Sequence, residues 1–493
     1  MIEYLNNHLF EGKYEDMSNG GMTSTKRNII VAIMLVSAFA AMLNQTILNT
    51  ALPAITQSMH ISETTAQWLV TGFMLVNGIM IPMTAYLMDK FSTKWLYIIS
   101  MATFVVVSFL SAFATGFELL MFARVIQAIG AGVMLPLMQF TVFTLFPVER
   151  RGFAMGLTGI VAQSAPAVGP TLTGLLIDQF SWRSPFIVVA TVAVLAFIVG
   201  AIFVEDTGKK RAAVLDKISV VYSTFGFGLI LYAFSSVSKF GFASPVFWVS
   251  LIVGVVILAV FTLRQLRINH PLLNVRVFKN TTFTLSALAS MVIFIGIVGP
   301  ALLIPMYVQN GLGLTALLSG LVILPGAVVN ALISVYTGKV YDRFGARVLL
   351  IPGFVLFAIM TFLHIFLSAD TPYWYVVVIY AVRMFSVGLV MMPLNAVGLN
   401  ALESKDISHG TAIMNSVRII AGAIGIAVSI TIMSLASRHF MATYSGSATH
   451  DHALRLASIH GIDAAFIFTT ILIVIGCVLV CFIKEERRSR HTR

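Results

Sequence analysis

Long uninterrupted apolar segments constrain this chain more than any other feature. Each is roughly 20 residues long, which is the length an α-helix needs to cross the hydrocarbon core of a bilayer. Hydrophobic residues make up 58% of the 493 positions, and charged residues only 10%. Because the apolar runs are continuous and do not alternate with polar residues, they argue against a transmembrane β-barrel. The sequence therefore predicts an all-α polytopic membrane protein.

Fourteen such segments follow one another, so the two termini are expected on the same side of the membrane. Of the 31 Lys and Arg residues, 24 fall on the side of the N-terminus, four in loops on the other side and three inside predicted spans. Basic residues accumulate on the cytoplasmic side. Both termini are therefore expected in the cytoplasm, and the net charge of +11 needs no nucleic-acid partner. The predicted spans are 28–48, 67–88, 95–115, 119–146, 152–176, 184–204, 218–237, 246–263, 282–307, 317–338, 348–367, 374–398, 411–435 and 464–483.

An internal repeat organises these spans. Three local patterns recur at offsets of 253, 259 and 258 residues, and each recurrence is displaced by eight spans. Two six-helix bundles separated by two additional helices give that displacement, and repeats of this kind mark transporters whose site lies between the repeats. The paired positions are Asp89 and Asp342, Arg124 and Arg383, and Gly152 and Gly410. The predicted units are a cytoplasmic tail 1–27, a first bundle 28–204, a linker with the two additional helices 205–275, a second bundle 276–483, and a basic cytoplasmic tail 484–493.

Four motifs resemble those of the major facilitator superfamily, and within it the fourteen-helix drug:proton antiporter branch. Gly338 to Arg347 is similar to the inner-loop signature, Arg124 to Gly130 to the signature of the fourth span, and Ala165 to Pro170 to the antiporter signature of the fifth. The first span reads Leu43-Asn44-Gln45-Thr46, with Asn44 where many members have Asp. This form is similar to lincomycin-resistance-type exporters of Gram-positive bacteria.

The resemblance implies the major-facilitator fold, a bacterial plasma membrane location and the export of antibiotics or other drug-like compounds. It also implies antiport coupled to protons by alternating access, and we expect a monomer. Export of an endogenous metabolite or lipid-like compound, or exchange of metal–tetracycline for protons, are alternatives. No metal triad, nucleophile elbow or phosphate-binding loop is apparent in the sequence, so neither an enzyme nor a cofactor is predicted.

Uncharged polar residues inside the spans are the candidates for contact with substrate. They offer hydrogen bonds without charge, among 24 Met and 37 Phe residues whose side chains suit loosely specified apolar ligands. We therefore expect a small amphiphilic substrate, neutral or weakly basic. For each residue taken singly, helix packing or contact with lipid is the alternative. The candidates are Asn44, Gln45, Asn49, Gln127, Gln163, Asn330, Asn395 and Asn415.

Other residues are candidates for gating. Asp89 and Asp342, the latter followed by Arg343, lie where spans meet the cytoplasm, and could cap a helix or pair with nearby bases to hold an inner gate shut. Ordinary loop charges that fix topology are the alternative. In span 5 the resemblance makes a bend at Gly169 and Pro170 the element that prevents leak, whereas a packing kink is the plainer interpretation.

Candidates for proton coupling are fewer. Arg124 and Arg418 lie inside spans, where a charge is costly, so they could tune a proton-binding group or bind backbone carbonyls. With the predicted boundaries every Asp and Glu lies in a tail, a loop or a span end, and His364 is the one histidine inside a span. The outer acids are Asp178 and Glu118, and the sequence predicts that one of them titrates, with Asp178 ranked first.

Overall fold

Fourteen long helices make up the part of the chain described by the computed structural model, residues 24–206, 216–444 and 450–484, and these ranges contain no strand. Thirteen of the helices contain a segment long and apolar enough to cross a membrane. The other, α5, is 29 residues long. The chain is therefore an all-α, multi-pass membrane protein. The helices are α1 (Ser24–Met59), α2 (Glu63–Lys90), α3 (Thr93–Ala112), α4 (Phe117–Leu145), α5 (Arg151–Gln179), α6 (Ser184–Phe203), α7 (Lys217–Phe240), α8 (Pro245–Arg267), α9 (Thr281–Met306), α10 (Ala316–Phe344), α11 (Arg347–Leu363), α12 (Tyr373–Asn400), α13 (Ile407–Thr443) and α14 (His450–Cys481).

The helices form two bundles, α1 to α6 and α9 to α14. One apolar core lies within the first bundle, and a second is built mainly from the second bundle, with Phe143 and Met155 of the first packed into it. The bundles meet along two seams. In one seam α5 packs against α10, and in the other α2 packs against α13. The eight-span repeat relates α2 to α10 and α5 to α13. The α2–α13 seam is therefore the repeat equivalent of the α5–α10 seam.

Glycines let the backbones of α5 and α10 touch. A Cβ on Gly156 would lie 2.6 Å from the carbonyl oxygen of Ser334, and a Cβ on Gly152 would lie 2.6 Å from that of Gly338. Gly152 and Gly156 are four residues apart and share a face of α5. Small residues at this spacing are a common means of close helix packing in membranes, where dispersion rather than the hydrophobic effect holds helices together.

The two additional helices, α7 and α8, pack on each other and lie beside the α2–α13 seam. α7 contacts both α2 and α13. Its Tyr232 stacks on Trp68 of α2 with 6.3 Å between the ring centroids, and its Leu231 lies against Gly78. The pair therefore covers one flank of the joint between the bundles.

Three of the predicted spans are much longer in the structure. α1 covers Ser24–Met59 rather than 28–48, α13 covers Ile407–Thr443 rather than 411–435, and α14 begins at His450 rather than at 464. Polar residues lower the hydropathy of these extensions, which are helical in the structure, and Gly461 of α14 packs against Met433 and Ser437 of α13.

These extensions correct two predictions. The prediction that no acid lies within a span is wrong for Asp463, which lies inside α14. The prediction that His364 is the one histidine inside a span is also wrong, because His409 lies in α13 and His460 in α14. His364 itself follows the end of α11 in a 3₁₀ turn. Residues 1–23 and 485–493, which hold most of the two predicted tails, are outside the described residues.

Candidate functional site

The two bundles are joined by hydrogen bonds at the end where α1 begins, which we call the inner end. Asp342, in the last turn of α10, accepts the backbone N–H groups of Gly152 and Phe153, each at 2.8 Å. These belong to the first turn of α5, where N–H groups have no partner within the helix and the helix dipole is positive. A carboxylate of the second bundle therefore caps a helix of the first bundle. Beside it, the Arg151 guanidinium donates to Asn400 at 3.1 Å.

The equivalent contact at the other seam is made by Asp89, at the end of α2. Its carboxylate accepts the Ser408 hydroxyl at 2.7 Å and lies 3.3 Å from Nε2 of His409, both in the first turn of α13. Nδ1 of His409 accepts the backbone N–H of Asn274 at 3.2 Å. With Nδ1 as acceptor, the hydrogen-bond network assigns the ring proton of the neutral tautomer to Nε2, which donates to Asp89.

Together these contacts form the inner latch, defined as Asp342 with Gly152 and Phe153, and Asp89 with Ser408 and His409. In each half an aspartate at the end of one helix holds the start of a helix in the other bundle. Sequence reasoning identified both aspartates but missed His409. The available signal was its neighbour Gly410, the repeat partner of Gly152.

Cross-bundle contacts continue a short way above the latch. Asn415 of α13 donates to Gln139 of α4 at 2.7 Å, and the Thr158 hydroxyl lies 4.0 Å from the sulfur of Met392. These hydrogen bonds lie in the inner half of the helices, so the two bundles are joined there.

Arg124 is the centre of a buried polar network in the first bundle. Its guanidinium donates to the side-chain oxygens of Asn44 and Gln127, at 2.7 Å for Gln127, and Gln127 in turn donates to Ser108 at 2.7 Å. The guanidinium also lies 4.1 Å from the ring centroid of Phe73. Arg124 is 1% exposed. Its hydrogen-bond partners are amide oxygens of side chains, rather than the backbone carbonyls that the sequence left as an alternative.

Two more arginines are buried in the second bundle. Arg383 donates to the carbonyl oxygen of Gly296 and to the Thr361 hydroxyl at 3.1 Å, and it is 0% exposed. Arg418 donates to the Ser290 hydroxyl at 2.9 Å and is 5% exposed. Neither arginine, nor Arg124, forms an ion pair with a described residue. Three guanidinium groups buried within the spans are therefore held by neutral partners.

The remaining polar candidates do not converge on one place. Asn330 donates to the carbonyl oxygen of Met384 at 2.8 Å and so ties α10 to α12. Asn395 is 2% exposed, and neither atom of its amide has a partner among described residues. Gln45 is half-buried in α1. The side chains of Asn49, Gln163, Pro170 and Asp178 lie outside the described part of the structure.

The other gating and coupling candidates have varied surroundings. Gly169 lies against the Thr46 side chain. Arg343 is exposed, with its guanidinium 5.2 Å from the Phe344 ring centroid. Glu118 is exposed in the first turn of α4. His364 is fully buried, and its ring stacks on Phe466 with 4.8 Å between centroids.

Known proteins resemble the chain over nearly its whole length. The sequence profile of the Major Facilitator Superfamily matches residues 34–426. The MFS-type transporter YcnB of Bacillus subtilis is 41% identical over 94% of this chain and 96% of its own length. The lincomycin resistance protein LmrB of Listeria monocytogenes is 37% identical over 93% of this chain and 97% of its own length.

Among solved structures, the human organic anion transporter MFSD10 has a similar fold. Its TM-score is 0.61 at 14% identity, and the match covers 92% of this chain and 99% of that one. At this identity the likeness shows the fold alone.

Proposed function

This chain belongs to the major facilitator superfamily, and we propose that it is an antibiotic and multidrug exporter of the bacterial plasma membrane. Its substrates would be neutral or weakly basic amphiphiles, lincosamides among them. Transport would proceed by alternating access as a monomer with both termini in the cytoplasm, and protons would drive it.

The inner latch is the observation that carries this proposal. Its two halves use charge-assisted hydrogen bonds to groups at helix starts, and both connect one bundle to the other. Such contacts can break without unfolding either bundle, because the apolar core of each bundle is built mainly from its own helices. Breaking them would open the cleft at the inner end, as alternating access requires.

The class of substrate is supported by the relatives and by the charge inside the spans. Three relatives of this chain at 36 to 37% identity are named lincomycin resistance proteins. The three buried arginines have no acidic partner among described residues, so a cation in the cleft would be repelled. At ~10 Å and an effective dielectric constant of ~20, each guanidinium would cost a monovalent cation about 1.7 kcal/mol. Permanent dications should therefore be poor substrates.

The experiment is efflux of a radiolabelled lincosamide from cells that express the chain, with and without a proton uncoupler. We expect export that the uncoupler abolishes, and weaker export of a bis-quaternary disinfectant than of the lincosamide. Replacing Asn44 by Asp gives Arg124 an anionic partner, so Asn44→Asp should improve export of the dication. Lincosamide efflux equal to that of cells without the protein would refute the proposal, and strong dication export by the wild type would refute its charge argument.

A further inference from the structure

A carboxylate lies deep within α14, outside the inner latch and the arginine networks. Asp463 comes thirteen residues after His450 and eighteen before Cys481, which places it about 20 Å and about 27 Å from the two ends of the helix. It lies within the membrane-spanning segment His452–Cys481. Because α14 runs from the outer to the inner side, Asp463 is in the outer half of the second bundle.

The face of α14 that carries Asp463 is turned into the bundle. Ile459 and Phe466, one turn away on either side, are on the same face. Ile459 packs against Gly311, and the ring of Phe466 stacks on His364. The Asp463 carboxylate also interacts electrostatically with Tyr307. Asp463 is therefore placed between the end of α9 and the end of α11.

One oxygen of this carboxylate is left without a partner. Oδ1 of Asp463 is buried and accepts no hydrogen bond from any described residue, and no described cation forms an ion pair with it. Asp463 as a whole is half-buried, and a carboxylate charge without a partner inside a membrane-spanning bundle is unfavourable. A proton on the carboxylate removes that charge. Intramembrane acids of this kind are typical of proton-binding sites.

The backbone next to Asp463 is irregular. α9 carries Pro300 and Pro305 in its second half and passes into a π-helical turn, Tyr307–Gly311. The turn is followed by Gly313 with a φ of +70°. Single π turns within helices occur frequently at functional sites, because the extra residue leaves a segment that can change its hydrogen bonding. This irregular segment faces α14, so the unpartnered carboxylate and the adaptable backbone lie side by side.

Other ionisable groups come from each element near Asp463. On α14 itself His460 lies three residues away, with its ring centroid 5.3 Å from that of Phe440 of α13. From the π turn comes Tyr307, whose hydroxyl donates to the carbonyl oxygen of Ser368 at 2.7 Å. From the end of α11 comes His364, which lies behind the ring of Phe466. Two turns outward on α14, the Arg455 guanidinium lies beside Gly313. α13 presents Ser437 and Met433 to this part of α14.

We propose that Asp463 is the proton-binding carboxylate of the second bundle, loaded from the outer side past the Tyr307–Gly311 turn. In the loading step a proton from outer water forms an O–H bond with the carboxylate and neutralises its charge. In the release step that bond breaks and the proton returns to water on the inner side. This assignment rests on the proposed proton-coupled export and replaces Asp178 and Glu118 as the first candidate for coupling.

The test uses purified full-length protein in liposomes, with labelled lincosamide. In Asp463→Asn we expect uphill transport driven by an imposed pH gradient to fall at least tenfold, while exchange of labelled for unlabelled substrate without a gradient continues. Asp463→Glu, which keeps a titratable group, should retain part of the uphill transport. The matched control is Asp370→Asn, an exposed acid in the outer loop between α11 and α12, which should behave as wild type. Uphill transport at the wild-type rate in Asp463→Asn overturns the assignment.

A second measurement needs no transported substrate. Infrared difference spectra between high and low pH should contain, in wild type, a component of the carboxylic-acid C=O stretch that is absent in Asp463→Asn. If this band is present but wild type moves no lincosamide, the proton site is supported and the proposed substrate is wrong. If Asp463→Asn leaves the spectrum unchanged, Asp463 binds no proton and the assignment fails whatever the substrate. If the thermal melting of Asp463→Asn differs from that of wild type, the spectra of wild type and Asp463→Glu are compared instead.

Discussion

Replacing Asp342 by Asn should open the inner end of the cleft without harming the fold of either bundle. The carboxylate accepts two backbone N–H groups of α5 at 2.8 Å each. An asparagine side chain offers one oxygen and an NH₂ group, and the NH₂ group would face an N–H donor. The variant therefore loses one of the two cross-bundle hydrogen bonds, together with the attraction of a negative charge to the start of α5.

The size of the effect follows from these two losses. A hydrogen bond to a charged group contributes about 1.5 to 3 kcal/mol, and a charge at a helix terminus about 0.3 to 1 kcal/mol. The loss of about 2 to 4 kcal/mol falls on the inner-closed state, because the bond to α5 crosses between bundles. Since about 1.4 kcal/mol is a factor of ten, the ratio of inner-closed to inner-open protein should drop roughly 30- to 700-fold.

The assay is a distance measurement between spin labels on the inner surface of each bundle. Glu149 of the first bundle and Glu403 of the second are exposed positions suitable for labelling after Cys477 and Cys481 are replaced by Ala. In Asp342→Asn the labels should move apart, and efflux should fall more than tenfold at unchanged expression.

The matched control is Asp206→Asn. Asp206 accepts the backbone N–H of Lys94 at 3.2 Å, so it caps a helix of its own bundle at the same side of the protein. This control should keep the label distance of the wild type. A wild-type distance distribution and wild-type efflux in Asp342→Asn would show that Asp342 only fixes topology, and the gating argument would be wrong.

Three further predictions concern other parts of the molecule. Gly156→Ala should abolish efflux while the protein still inserts, because the new Cβ would lie 2.6 Å from the carbonyl oxygen of Ser334. Gly174→Ala, whose Cβ would have no atom of a described residue within 4 Å, should transport normally, and equal efflux in both variants would contradict the close-packing argument. The Arg264 guanidinium holds the pKa of Asp216 at about 2, below its unfolded value of ~3.9. The stabilisation by Asp216 should therefore be constant above about pH 5 and be lost as the pH falls through about 2. Thermal melting of wild type and Asp216→Asn would measure this, and a difference in melting temperature that is undiminished at pH 2 would contradict it. A reporter that works only in the cytoplasm should be active when it is fused to the C-terminus. Activity of a C-terminal reporter that works only outside the membrane would overturn the predicted orientation.

Much of the architecture could be predicted because lipid imposes a simple requirement on each helix. A run of about 20 apolar residues satisfies that requirement by itself, so the helices could be identified one at a time. The repeat then paired Asp89 with Asp342, and in the structure both lie at equivalent contacts between the bundles.

The errors arose where polar residues lower the hydropathy of a helix. Residues 450–463 carry His, Asp and Arg, so hydropathy predicted a loop, whereas the structure continues α14 through them. A stripe of Arg455, Ile459 and Asp463 at four-residue spacing could have revealed the helix.

The exact partners of the functional side chains were beyond sequence reasoning for a different reason. His409 meets Asp89 across 320 positions of the chain, and Asn274 reaches His409 across 135. Local periodicity gives no information about contacts between residues so far apart. The orientation of Asn395 and Asn330 within their bundles likewise depends on how whole helices pack.

The additional helices have a consequence for how a hydrophobic compound could reach the cleft. α7 and α8 shield the α2–α13 seam from acyl chains, whereas in the described residues no extra helix lies across the α5–α10 seam. The repeat makes the two seams equivalent, but only the α5–α10 seam is directly exposed to the surrounding bilayer. A compound already dissolved in one leaflet of the bilayer would therefore enter the protein laterally at the α5–α10 seam, where the two helices are in contact through glycines.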